Sequence, residues 1–230
     1  MWGLGALIAL AACSGDIGNA GGDAAGAGDR PAGLPPVDDP NTFVPDALAA
    51  RLTDTQYAFT VEDIFGLALT DEERSTLPPD YPLEAHYSTS VERQVFNGQY
   101  VIAYAEVARS LTARLDPAQL RTDFGQCSDA EAACRDAFIN GLGLRLFRRP
   151  LSPEEVTSFA ALADGVAAFD EGTADDGIIS VVQAMLQSPA FLYRLEDEVA
   201  GTADDIRFVN GYELASRMSY FLWQSAPDPA

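Results

Sequence analysis

The chain has 230 residues, 47% hydrophobic and 21% charged, enough apolar content to bury a core and so not disordered as a whole. Its 35 acidic residues outnumber 14 basic ones, every one of them arginine, for a formal charge of −21. A surface this acidic repels phosphate backbones and anionic membrane faces, so nucleic acid is excluded as an expected partner.

In chain order, Met1 to Ala12 is almost wholly apolar and ends in Leu10-Ala11-Ala12-Cys13. As a helix this run is about 18 Å long, short of the roughly 30 Å hydrocarbon core of a bilayer. It fits the apolar part of a signal peptide closed by small residues, over residues 1–13. Leu-Ala-Ala-Cys resembles a bacterial lipobox, which implies lipidation of Cys13, a mature N-terminus there and a membrane partner through the lipid anchor. By the same resemblance, Ser14 implies the outer membrane, facing the periplasm or the exterior. No Lys or Arg precedes the apolar run, so the signal is expected to start upstream or to be a fragment. Residues 14–43 are rich in Gly, Ala, Asp and Pro and predict a disordered tether, because so little apolar surface cannot offset the entropy of ordering.

From residue 44 onward helix signals recur. Thr53-Asp54-Thr55-Gln56 has capping-box spacing, Tyr57, Val61, Ile64 and Phe65 form one apolar face, and Gly66 suits a left-handed stop. Residues 75–90, interrupted by Pro78, Pro79 and Pro82, predict a loop. A helix over 91–115 carries the stripe Phe96, Tyr100, Tyr104, Val107, Leu111 and Leu115, read as core packing. Asp116-Pro117 opens a short helix. Ser128-Asp129-Ala130-Glu131 then predicts a helix to Arg149, whose last turn holds Arg145, Arg148 and Arg149 where cations favour the helix dipole. Ser152-Pro153-Glu154-Glu155 starts another, with Val156, Phe159, Ala160 and Ala163 inward. After a turn over 170–176 comes an apolar helix through Leu186, then a short turn of helix from Ser188-Pro189 to Tyr193. The last helix is capped by Asn210, and on it Leu214, Met218, Phe221 and Leu222 share a face. About seven helices without period-two alternation predict an all-α bundle.

If Cys13 takes lipid, Cys127 and Cys134 remain, and in an oxidising compartment the disulfide is favoured over free thiols. A helix starting at Asp129 would hold the two about 10 Å apart, too far to bridge, so it must begin later or Cys127 must fold back. A metal site is disfavoured because His86 is the single histidine. The sequence holds no Cys-x-x-Cys-His, His-Glu-x-x-His, Gly-x-Ser-x-Gly or phosphate-binding glycine loop, and no catalytic residue, metal ligand or cofactor is assigned. Gly141 and Gly143 mark close helix packing. The acidic groups Glu62-Asp63, Asp71-Glu72-Glu73, Asp175-Asp176, Glu196-Asp197-Glu198 and Asp204-Asp205 are read as solvated.

Three passages together resemble an uncharacterised bacterial family, found in planctomycetes and myxobacteria, built from domains of unknown function 1587, 1595 and 1592. Arg51-Leu52-Thr53, Gln56-Tyr57 and Val61 to Gly66 are similar to the first. Phe138-Ile139, Arg145 to Leu151, Glu155 and Gln187 to Arg194 are similar to the second. Tyr212 to Trp223 is similar to the opening of the third. The resemblance implies helical domains over 44–125 and 126–200 and the start of a truncated one over 208–230. Some relatives are linked with c-type cytochrome modules, which implies a cytochrome or another envelope protein as partner. The expectation is a helical scaffold or binding module of an envelope lipoprotein, linked to a cytochrome or a surface degradative system. The alternative is the N-terminal part of an enzyme or electron-transfer protein whose active site lies beyond Ala230.

Overall fold

A computed structural model describes residues 49–80, 98–128, 131–194 and 210–228. The signal and tether, Cys13, His86, Phe96 and the acidic loop 196–205 lie outside the described residues. Those residues are predominantly α-helical, as the periodicity predicts. The expected seven helices become nine among the described residues, two of them only four residues long.

The helices start where side chains three positions apart can satisfy free backbone donors. In α1 (Asp54–Phe65) the Thr53 hydroxyl accepts from the Gln56 amide N–H, and the Thr53 N–H donates to the Gln56 side chain. Gly66 ends α1 at φ 68°, a left-handed value that favours glycine. Tyr57, Ala58, Val61 and Ile64 are buried, while Phe65 is only partly covered. A second helix, α2 (Asp71–Thr76), corrects the loop expected from residue 75: Thr70 and Glu73 form another capping box ahead of the prolines. The Asp71-Glu72-Glu73 group is corrected with it, because Glu73 is buried. There it accepts from the Thr70 N–H, the Ser110 hydroxyl and the Arg114 guanidinium. Burial pushes its pKa up, and these donors together outweigh burial and hold it below the ordinary value.

In α3 (Gly98–Thr112) the stripe Tyr100, Tyr104, Val107 and Leu111 is core, as expected. It packs on α7 (Ala174–Gln187), whose Ile178, Val181, Val182, Met185 and Leu186 are all buried. Between them in sequence come α4 (Pro117–Leu120), a π-helical turn over Arg121–Gly125, and α5 (Ala132–Phe147). Then follows α6 (Pro153–Ala167), with its Ser152–Glu155 capping box. Of the residues expected inward on α6, Ala163 is buried and Val156, Phe159 and Ala160 are half-buried.

The Cys127–Cys134 disulfide is present, with Cα atoms 5.7 Å apart. The distance conflict resolves by a late helix start: α5 begins at Ala132, with Glu131 as an N-cap that makes no side-chain cap bond. At its other end α5 stops at Phe147, two residues before the expected Arg149, because Arg148 turns left-handed at φ 59°. Gly141 and Gly143 do mark close packing. A Cβ at Gly141 would lie 2.0 Å from the Phe124 carbonyl oxygen, so the π turn and α5 meet backbone to backbone.

The chain closes on itself through a two-residue antiparallel ladder. Ala50 of β1 (Ala50–Arg51) pairs with Arg194 of β2 (Tyr193–Arg194), and Arg51 pairs with Tyr193. The Leu52 N–H continues it, donating to the Leu192 carbonyl of α8 (Pro189–Leu192) at 2.8 Å. Tyr57, Tyr104 and Phe191 then stack around this seam, ring centroids 5.4 Å apart in each Tyr57 pair.

Candidate interaction surface

The last helix, α9 (Gly211–Leu222), is capped reciprocally: the Asn210 N–H donates to the Glu213 carboxylate and the Glu213 N–H to the Asn210 side chain. Its periodicity is that of an ordinary buried helix, yet the structure seats it by its polar side. Ser216, Ser219 and Tyr220 are the buried residues. The Tyr220 and Thr60 hydroxyls are 3.0 Å apart, and Ser219 Oγ donates to the Ser225 carbonyl at 2.8 Å, closing the helix end. The guanidinium carbons of Arg148 and Arg194 lie 5.7 and 5.6 Å from the Tyr220 ring centroid, within cation–π range.

Arg148 is the residue on which this seat depends. Its Nη1 donates to the Phe191 carbonyl at 3.1 Å, and its Nη2 donates to the Ala190 and Tyr193 carbonyls, both at 2.8 Å. The expected dipole role within its own helix is therefore corrected: a left-handed backbone carries the guanidinium across to the carbonyl end of α8. Arg149 instead makes a two-point pair with Glu155, 2.8 Å on each arm, which holds that carboxyl below its usual pKa.

With Tyr220 inward, the apolar stripe faces out. Leu214 is 49% exposed, Met218 53%, Leu222 55% and Phe221 85%, and Trp223 beyond them is 67% exposed. Exposed apolar side chains grouped in this way make this face of α9 a candidate interaction surface. The sequence located the stripe and its members; its outward direction had no local signal.

A second polar feature sits at the start of α1 and was missed in the sequence. Arg51, buried, donates to the Tyr104 hydroxyl at 2.7 Å and pairs with Asp80 at 3.2 Å. Asp54 and Asp80 face each other, the Asp54 N–H donating to Asp80 at 2.8 Å and the Asp80 N–H to Asp54 at 3.3 Å. Burial, reinforced by the Asp80 charge, pushes the Asp54 carboxyl up to about 6 against the pull of Arg51. Nothing in the sequence joins residues 26 positions apart across a proline-rich stretch, so this pair was legible only in space.

Other residues singled out in the sequence fall in structural roles. Asp175 of the α7 start pairs with Arg121 at 2.6 Å, and Asp176 caps that helix with Thr173. Among the described residues no group of three or more His, Cys, Asp or Glu side chains is placed to hold a metal, and no helix is long and apolar enough to cross a membrane.

Residues 50–116 match the family model PSD3, Protein of unknown function (DUF1587), and residues 134–196 match PSD5, Protein of unknown function (DUF1595). Neither the curated proteins nor the solved structures yield a match.

Proposed function

We propose that this chain, which carries regions of two uncharacterised families, is a non-catalytic binding or scaffolding module of the cell envelope. The outward apolar stripe of α9 carries the reading, because a helix seated by two serines and a tyrosine while displaying Leu214, Met218, Phe221 and Leu222 is built to meet another surface. Lipidation at Cys13, export to the outer membrane and a tether over residues 14–43 complete it, supported by the Leu10-Ala11-Ala12-Cys13 sequence. An envelope protein, with a c-type cytochrome as one candidate through the family resemblance, is the proposed partner. A photo-crosslinking residue in place of Phe221, compared in intact envelopes with one in place of the exposed Phe169 on another element, tests the docking role. Adducts from position 221 alone are expected; equal yields at both positions would overturn it. Metabolic palmitate labelling that survives Cys13→Ala would sink the lipid anchor.

A second reading rests on the resemblance of Tyr212 to Trp223 to the opening of domain of unknown function 1592. On that reading α9 begins a further domain, and an enzymatic or electron-transfer site lies beyond Ala230. Sequence downstream of Ala230 separates the two: a Cys-x-x-Cys-His or a clustered His/Asp/Glu set favours the second, and neither favours the first.

A further inference from the structure

We propose that the cavity between α5, α6 and α7 is a binding site for a short aliphatic monocarboxylate, held by Arg121. It stands on observations separate from the α9 face.

The cavity encloses about 100 Å³. Arg121 lines it and is only 8% exposed. Its Nη1 donates to Asp175 at 2.6 Å, but its buried Nε has no hydrogen-bond partner. A buried donor on a charged group is costly to leave unmade, so this place in the fold is short of one acceptor. A carboxylate supplies it, because its two oxygens match the planar fork of a guanidinium.

The backbone favours the same sign of ligand. Ala132 and Ala174, both on the cavity wall, are the first residues of α5 and α7, so the N-termini of two long helices meet there. Their partial positive charge attracts an anion, and at α5 the N-cap residue makes no side-chain cap bond to the free N–H groups. Arg121 also opens the π-helical turn, a rare geometry that recurs at functional sites. The Cys127 N–H donates to the Arg121 carbonyl at 3.4 Å, so the disulfide-linked loop helps to fix that backbone.

Size and lining set the class. An apolar cavity of about 150 Å³ holds benzene, so this one takes roughly four to six non-hydrogen atoms, an acid of two to four carbons. Beside the charged groups its wall is alanine methyls and the buried Ile178, which suit a short hydrocarbon tail better than the all-polar surface of phosphate. A dicarboxylate fits less well. Arg135, on the same wall, commits its Nε and Nη2 to Asp136 and its Nη1 to Asp164, and those carboxylates repel a second negative end.

Titration of the isotopically labelled full chain with propionate, read by NMR at the Arg121 Nε–H and the Ala132 amide, tests the site. Saturable shifts with a Kd on the order of 1 mM are expected for so small a ligand. Propionamide has the shape without the charge and inorganic phosphate the charge without the tail; each should bind at least roughly tenfold more weakly. Ala167→Leu, at a half-buried position of the wall, fills the cavity while leaving Arg121 in place, and should abolish the shifts in a chain whose amide spectrum is otherwise retained. Arg121→Met should abolish them too; if that variant does not fold, Ala167→Leu still decides. No saturable shift at ~50 mM propionate overturns the proposal. So do equal shifts from propionamide or phosphate, and so does undiminished binding in Ala167→Leu.

Discussion

The hydroxyl groups of Thr60 and Tyr220 lie 3.0 Å apart, joining α1 to α9 across 160 positions of sequence, and both residues are buried. Tyr220→Phe keeps the ring and its two arginine neighbours but strands the Thr60 hydroxyl. It should cost about 1 kcal/mol in urea denaturation, and Tyr220→Ala roughly 3–4 kcal/mol, since the ring fills core volume. A double-mutant cycle with Thr60→Val should show coupling of about 0.5–1.5 kcal/mol; strictly additive losses would mean that the two hydroxyls do not interact.

Arg148 offers a second measurement. Arg148→Met leaves three carbonyls of the α8–β2 turn without their shared donor and should destabilise by roughly 2–4 kcal/mol. Arg148→Gly separates backbone from side chain: glycine suits φ 59° better than arginine, so it recovers about 1 kcal/mol at most. A glycine variant as stable as the parent would show that the guanidinium contributes no more than the backbone relief, about 1 kcal/mol.

Reducing the Cys127–Cys134 bond should lower stability by about 2.5 kcal/mol on the chain-entropy account of so short a loop, read as a lower melting temperature in dithiothreitol. In denatured, unreduced protein, thiol titration should count at most one free cysteine, and none when Cys13 is lipidated.

Stability should also respond to pH in a window set by Asp54. Its folded pKa, about 6, lies above the unfolded value near 3.9, so the folded state holds the proton more tightly. The stabilising contribution is fully present below pH 4 and lost as pH rises through 6. Asp80, also raised by burial, adds in the same direction. Glu73 and Glu155, held low by their donors, work oppositely, but only below about pH 4.5. Between pH 7.5 and 5 the melting temperature should therefore rise, and Asp54→Asn should flatten that rise. An unchanged slope in the variant would assign the effect elsewhere.

Two glycines in helix interiors should respond to alanine with opposite signs. Gly165 of α6 has open space around it, so alanine gains about 0.5–1 kcal/mol of helix propensity. At Gly141 the new methyl would press on the Phe124 carbonyl, costing roughly 1–3 kcal/mol despite the same propensity gain.

Features whose cause lies within a few residues could be read from the amino acids alone. Thr53 with Gln56, Ser152 with Glu155 and Asn210 with Glu213 are capping boxes because hydrogen bonds between N-cap and third helical residue depend only on that spacing. The same spacing at Thr70 opens a helix of only six residues, so the prolines that follow it dominate the local pattern. The apolar stripes of α3 and α7, and the pairing of Cys127 with Cys134, were legible for similar reasons: periodicity and cysteine count need no knowledge of neighbours. What space decided was direction and meeting. Arg148 serves a different helix from its own, Asp54 meets Asp80, Glu73 is buried among donors, and α9 turns its apolar face outward. Burial is a property of what lies opposite a side chain, and what lies opposite is fixed by contacts dozens of residues away. The stripe from Leu214 to Leu222 was visible in the chain; only the hold on Tyr220 by Thr60 and Arg148 determines that it is left displayed.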